Sequence, residues 1–209
     1  MTDELVLYTN PMSRGRTVRW MLEELDQPYR AEIMDFTALK APTYLAINPM
    51  GKVPALTHGA VVVTELAAIC AYLADAFPQA GLAPAPGDPA RGSYYRWLFY
   101  ASGPVEAAVT NKALNFELPP GRERMAGYGC FGDVMDVLEQ AVSAGDYVAG
   151  GRFSAADLVL GHQIGFGLMF KSIEPRPAFT TYWDRLSARP AYVRASQMDD
   201  ALLGRVGGG

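Results

Sequence analysis

The chain has 209 residues, of which 50% are apolar and only 19% charged, with a formal net charge of −4. That length suits one large domain or two small ones, and the composition excludes disorder as the main state. The acidic balance, with no long basic run, argues against nucleic acid as a partner. The thinly charged surface points to a partner subunit covering part of it. The two cysteines, Cys70 and Cys130, are distant in sequence and neither sits in a C-x-x-C. No disulfide framework and no metal site are expected. The first ten residues lack a basic start followed by a long apolar stretch, so no secretory signal is expected. No apolar run approaches the roughly 18 residues that a membrane span needs. A cytoplasmic location follows as the default.

In chain order, Leu5–Tyr8 reads as a strand stopped by Asn10-Pro11. Val18, Met21, Leu22 and Leu25 then fall on one face of a helix. Tyr29–Met34 reads as a second strand and Ala38–Ile47 as a short helix, ended by Asn48-Pro49. Val53–Thr57 and Val61–Val63 read as two strands across the turn His58-Gly59. Thr64 caps a further helix with a stripe of Leu66, Ile69, Cys70, Leu73 and Phe77. The order is βαβαββα, with parallel strands first and an antiparallel edge last.

From Pro78 to Pro89 there are four prolines and two glycines, the composition of a linker. The segment after it reads as helical throughout. Ser154 with Asp157 three residues later is a capping box, with Phe153 stapled to Leu158. The helix that follows is apolar nearly all round and should be the buried centre of a bundle. Gly207–Gly209 reads as a frayed tail. Gly127-Tyr128-Gly129-Cys130-Phe131-Gly132 matches G-x-G-x-x-G, but no strand precedes it and no βαβ unit surrounds it, so it is no dinucleotide site.

Several segments carry a family likeness. They are Pro11-Met12-Ser13-Arg14-Gly15 through Trp20-Met21-Leu22-Glu23-Glu24-Leu25, then Asn48-Pro49-Met50-Gly51-Lys52-Val53-Pro54-Ala55-Leu56, then Thr64-Glu65-Leu66-Ala67-Ala68-Ile69, and the Gly150–Asp157 segment. Together with the element order they resemble the cytosolic-type bacterial glutathione S-transferase family. The resemblance implies a thioredoxin-like α/β domain over residues 1–78, a linker over 79–87 and an all-α domain over 88–209. It implies glutathione as co-substrate, a small apolar electrophile as its partner in the reaction, and a homodimer.

The resemblance also assigns candidate residues, each with a plainer reading beside it. Ser13 is the candidate to stabilise the thiolate, against a simple N-cap. Tyr8 competes for that role, against strand packing, and Arg14 could supply positive charge near the sulfur. Val53 and Pro54 are the pair expected to hold the cysteinyl backbone across a cis bond. Glu65 and the backbone of Leu66 are expected at the γ-glutamyl end, on a helix N-terminus. Glu65 alone would read as a carboxylate complementing the helix dipole. Leu66 stands where the family has a serine hydroxyl. Lys52, and less directly Lys40, are candidates for the glycine carboxylate, against solvated surface charges. Tyr100 and Phe166 are candidates for an apolar lining, against core packing. A glutathione-dependent isomerase or peroxidase, and a non-catalytic transferase-like binding module, are the competing functional readings.

Overall fold

A computed structural model describes residues 4–206. The tail at 207–209 lies outside the described residues. Four strands form one sheet in the order β2-β1-β3-β4. They are β1 (Leu5–Thr9), β2 (Arg30–Ile33), β3 (Ala55–His58) and β4 (Val61–Thr64). β1 pairs with β2 in parallel, and with β3 antiparallel; β3 and β4 form the hairpin. The helices interspersed are α1 (Gly15–Leu25), the one-turn α2 (Pro42–Leu45) and α3 (Leu66–Ala76). The sequence-derived βαβαββα order is therefore the observed one.

Side-chain spacing explains α1. Val18, Met21 and Leu22 are fully buried and Leu25 nearly so, as the expected stripe requires. Gly15 opens the helix because a Cβ there would collide with the Thr9 hydroxyl at the end of β1. Two local expectations need correction. The expected helix over Ala38–Ile47 is split into a 3₁₀ turn (Phe36–Lys40) and α2, with Pro42 in the first turn of α2, where its missing N–H costs nothing. Thr64 does not cap α3. It remains in β4, paired with Ala55, and Glu65 takes the N-cap position at φ 69°.

The described chain forms two compact units. One comprises residues 4–80 with 188–206; the other comprises 81–187. The last helix, α9 (Pro190–Val206), therefore belongs to the sheet-containing unit, where it packs along α1. The second unit is helical: α4 (Ala90–Tyr100), α5 (Glu106–Ala113), α6 (Phe131–Ser143), α7 (Ala155–Met169) and α8 (Pro177–Ser187). A single π-helical turn (Ala101–Val105) joins α4 to α5 and accommodates Pro104, whose missing N–H an α-helical ladder would leave as a gap.

α7 is the buried centre of the second unit, as its all-round apolarity requires. Its glycines let neighbours approach: Gly161 lies under Leu186, Gly165 under the Trp183 ring and Gly167 under Ile173. The capping box is present. Asp157, fully buried, accepts from the Ser154 N–H (2.9 Å) and hydroxyl (2.8 Å), the Val148 N–H (2.7 Å) and the Tyr182 hydroxyl (2.7 Å). Burial nonetheless holds its pKa above the ordinary carboxylate value. Asp157→Ala leaves these donors without their acceptor. Chemical denaturation should show a loss of about 3–5 kcal/mol, at the upper end for a point substitution, because several buried groups lose one partner together.

Candidate functional site

The sheet register brings the sequence-derived candidates together. Tyr8 pairs with Ala55, and Ala55 pairs with Thr64. The exit of β1, the entry to β3 and the exit of β4 therefore lie side by side at one end of the sheet. Three segments begin there: Asn10–Arg14 leading into α1, Lys52–Pro54 leading into β3, and Glu65–Leu66 leading into α3.

The first loop is built on Asn10, a buried side chain. Its Nδ2 donates to the Met34 carbonyl (2.8 Å) just past β2, and its Oδ1 accepts from the Met12 N–H (2.8 Å). Ser13 is half-buried within this loop. Its hydroxyl donates to the Asn10 carbonyl (2.7 Å) and accepts from the Gly15 N–H (3.0 Å). The Asn10 carbonyl also accepts from the Ser13 N–H (3.0 Å). Arg14 occupies the N-cap of α1, half-buried. Tyr8 packs with its ring 5.9 Å from that of Tyr44, in a small apolar cluster with Leu39, Ala55 and Val53.

The second loop is framed by Asn48 and Tyr44. Asn48 Nδ2 (2.8 Å) and the Tyr44 hydroxyl (2.6 Å) both donate to the Lys52 carbonyl. Burial is the main cause that pushes the Tyr44 hydroxyl up to about 12, so it remains a donor at neutral pH. Lys40 Nζ donates to the Met50 carbonyl (2.7 Å), which ties it to this loop. The Lys52 side chain is exposed. The Val53–Pro54 bond is cis, and the pairing of β1 with β3 begins only at Ala55, so Val53 lies beyond the ladder.

In the third segment, Glu65 is exposed and turns the chain sharply from β4 into α3, its positive φ being uncommon for a residue with a Cβ. Leu66 is the first helical residue and is half-buried. An eleven-residue helix presents unpaired N–H groups at this end, a ready anion site. Tyr100 and Phe166 lie in the other unit. The Tyr100 hydroxyl donates to the Val134 carbonyl (3.2 Å), and Phe166 stacks on His162 at 4.3 Å.

Sequence reasoning missed Asn10, Tyr44 and Asn48 as the frame of the site. The signal was present in the two Asn-Pro pairs. Asparagine before proline favours a loop whose side chain bonds its own backbone two residues on, and both do so here, to Met12 and Met50.

Known proteins share this fold. The family model described as glutathione S-transferase, N-terminal domain, matches residues 7–81. Glutathione S-transferase 3 of Zea mays is 27% identical over 204 residues, covering 90% of this chain and 91% of the maize protein. A glutathione transferase structure from Methylococcus capsulatus superposes with a TM-score of 0.76 at 28% identity, covering 94% of this chain and 99% of that one. A sphingomonad glutathione S-transferase complexed with glutathione gives a TM-score of 0.76 at 26% identity, covering 93% and 98%. Residues 7–81 are therefore a glutathione S-transferase N-terminal domain, and the chain along nearly its whole length is similar to glutathione S-transferases in sequence and fold.

Proposed function

We propose that this protein binds glutathione at the sheet end described above and transfers its thiolate to the electrophilic carbon of a small apolar substrate. The observation that carries this reading is the convergence of the cis Val53–Pro54 bond, the α3 N-terminus and the Ser13 loop at that one end. Val53 pairs with the cysteinyl backbone of the tripeptide. The N–H groups opening α3 take the γ-glutamyl carboxylate, and Glu65 takes its ammonium. Lys52 meets the glycine carboxylate, while Lys40 holds the loop rather than the ligand.

Ser13 is suited to the thiolate. A free thiol has a pKa of about 8.5, so only a few per cent ionises at pH 7. The Gly15 N–H bonded to its oxygen polarises the Ser13 hydroxyl and makes it a better donor. When that hydroxyl turns to sulfur, the Asn10 carbonyl keeps the bond from the Ser13 N–H, so no acceptor is orphaned. Arg14 at the N-cap adds positive charge beside the same loop. Holding thiolate and electrophile together supplies much of the acceleration.

Ser13→Ala should raise the pKa of bound glutathione by about one to two units, the worth of a hydrogen bond to a charged group at about 1.5–3 kcal/mol. Thiolate absorbance against pH measures it. No change in Ser13→Ala, with a rise in Tyr8→Phe, would transfer the role to Tyr8.

Leu66 favours a second reading, a transferase-like module that binds glutathione weakly and does no chemistry. Its backbone N–H can serve the carboxylate, but no hydroxyl accompanies it. Leu66→Ser should therefore tighten glutathione binding roughly 10- to 100-fold by calorimetry. Unchanged binding by a well-folded variant would show that the carboxylate does not reach α3.

We also infer a homodimer. Val61 and Val62 are exposed on the edge strand β4, as are Tyr95 and Phe99 on α4. Such apolar side chains on an unpaired edge and on one helix face suit a two-fold interface. Light scattering at micromolar concentration should give twice the 22.6 kDa chain mass, and a value near the chain mass would contradict it.

A further inference from the structure

Charge along α1 runs against its helix dipole. Arg16 and Arg19 lie toward the positive N-terminal end, and Glu23 and Glu24 close the negative C-terminal end. α9 runs antiparallel and answers each of them. Arg16 meets Asp200 at 2.6 Å and Arg19 meets Asp199 at 2.8 Å. Glu23 meets Arg194 at 3.1 Å, and Glu24 takes both Nε and Nη2 of Arg189 at 2.6 and 2.8 Å.

The Arg16 rung differs from the others in one respect. While Nη2 donates to Asp200, Nη1 donates to the carbonyl of Pro11 (3.3 Å). Pro11 opens the loop that carries Ser13 and Arg14. Arg16 thus joins that loop to α9. A guanidinium in the first turn of a helix is disfavoured by the dipole, and its long side chain has many rotamers to lose. The Asp200 carboxylate offsets the first effect and selects one rotamer. Because the guanidinium is a rigid planar fork, fixing Nη2 also fixes the direction of Nη1.

We propose that Asp200, acting through Arg16, is a positioning residue for the Pro11–Arg14 loop, so that the C-terminal helix sets where the Ser13 hydroxyl stands relative to a bound thiol. This rests on the transferase reading above. Its sign distinguishes it from simple electrostatics. Removing a carboxylate near the loop would by charge alone favour the thiolate and lower the thiol pKa. Loosening the loop withdraws the Ser13 hydroxyl and raises it.

The test uses the full chain with Asp200→Ala, Asp200→Glu and, as a control on a different rung, Arg194→Ala. Asp200 is exposed, so losing its side of the pair costs little folding stability and the variants should fold. Two quantities are read: the pKa of bound glutathione, with its Kd, and amide hydrogen exchange at Met12–Gly15 in the ligand-free protein. Asp200→Ala should raise the pKa by about half a unit or more, roughly a threefold loss of thiolate. The Kd should change less than about twofold, because Val53 and the α3 N-terminus are untouched, and loop exchange should quicken. Asp200→Glu should restore both, and Arg194→Ala should change neither. An unchanged or lowered pKa in Asp200→Ala overturns the proposal, as does an equal effect of Arg194→Ala. Failure of the unsubstituted protein to bind glutathione overturns the transferase reading instead. The exchange data then decide alone, with quicker loop exchange in Asp200→Ala supporting the positioning role and unchanged exchange refuting it.

Discussion

The site depends on one register. Tyr8 opposite Ala55, and Ala55 opposite Thr64, align the ends of three strands. Side chains alternate faces along a strand, so a slip of one residue would move the buried Leu56 to the opposite face of the sheet and misplace all three loops at once. The apolar face of the sheet therefore fixes the chemistry. Leu7 and Leu56 are fully buried, as are Val18, Met21, Ile69 and Leu73 on the helices that contact β1 and β3, and this burial specifies the pairing that sets where the cis bond and the two helix N-termini stand.

The loops themselves are held by polar groups rather than by the core. Asn10 and Asn48 each satisfy backbone groups on both sides of a turn, and the Tyr44 hydroxyl and Lys40 ammonium add bonds to the second loop. These loops lie beyond the strand ladder, so strand pairing does not fix their backbone. Side chains take over the task of fixing it. In the helical unit the same device appears in the interior, where Asp157 ties Val148, Ser154 and, from α8, Tyr182 to the start of α7.

Much of this was legible from sequence where the signal is local. The apolar stripe of α1, the capping box at Ser154 and Asp157, and the all-round apolarity of α7 depend on residues within a few positions of each other. Thr64 was misread because a threonine before an apolar stripe is a general cap signal; pairing with Ala55, a tertiary constraint, keeps it in the strand instead. The partner of α9 was illegible because its arginines and aspartates read alone as a solvated face. The reversed charge order of α1 was the available clue, since Arg16, Arg19, Glu23 and Glu24 oppose their own dipole until α9 answers them. The buried pair Arg19–Asp199 makes that answer specific, since losing either partner leaves a buried charge alone.

In the proposed binding mode, one end of the sheet holds the tripeptide and presents its sulfur to the first loop. A crystal structure with glutathione bound tests it most directly. It should show the sulfur within hydrogen-bond distance of Ser13 Oγ, the cysteinyl backbone paired with Val53, and the γ-glutamyl carboxylate on the N–H groups that open α3. Glutathione bound elsewhere, or at this sheet end with its sulfur away from the Asn10–Arg14 loop, would contradict it.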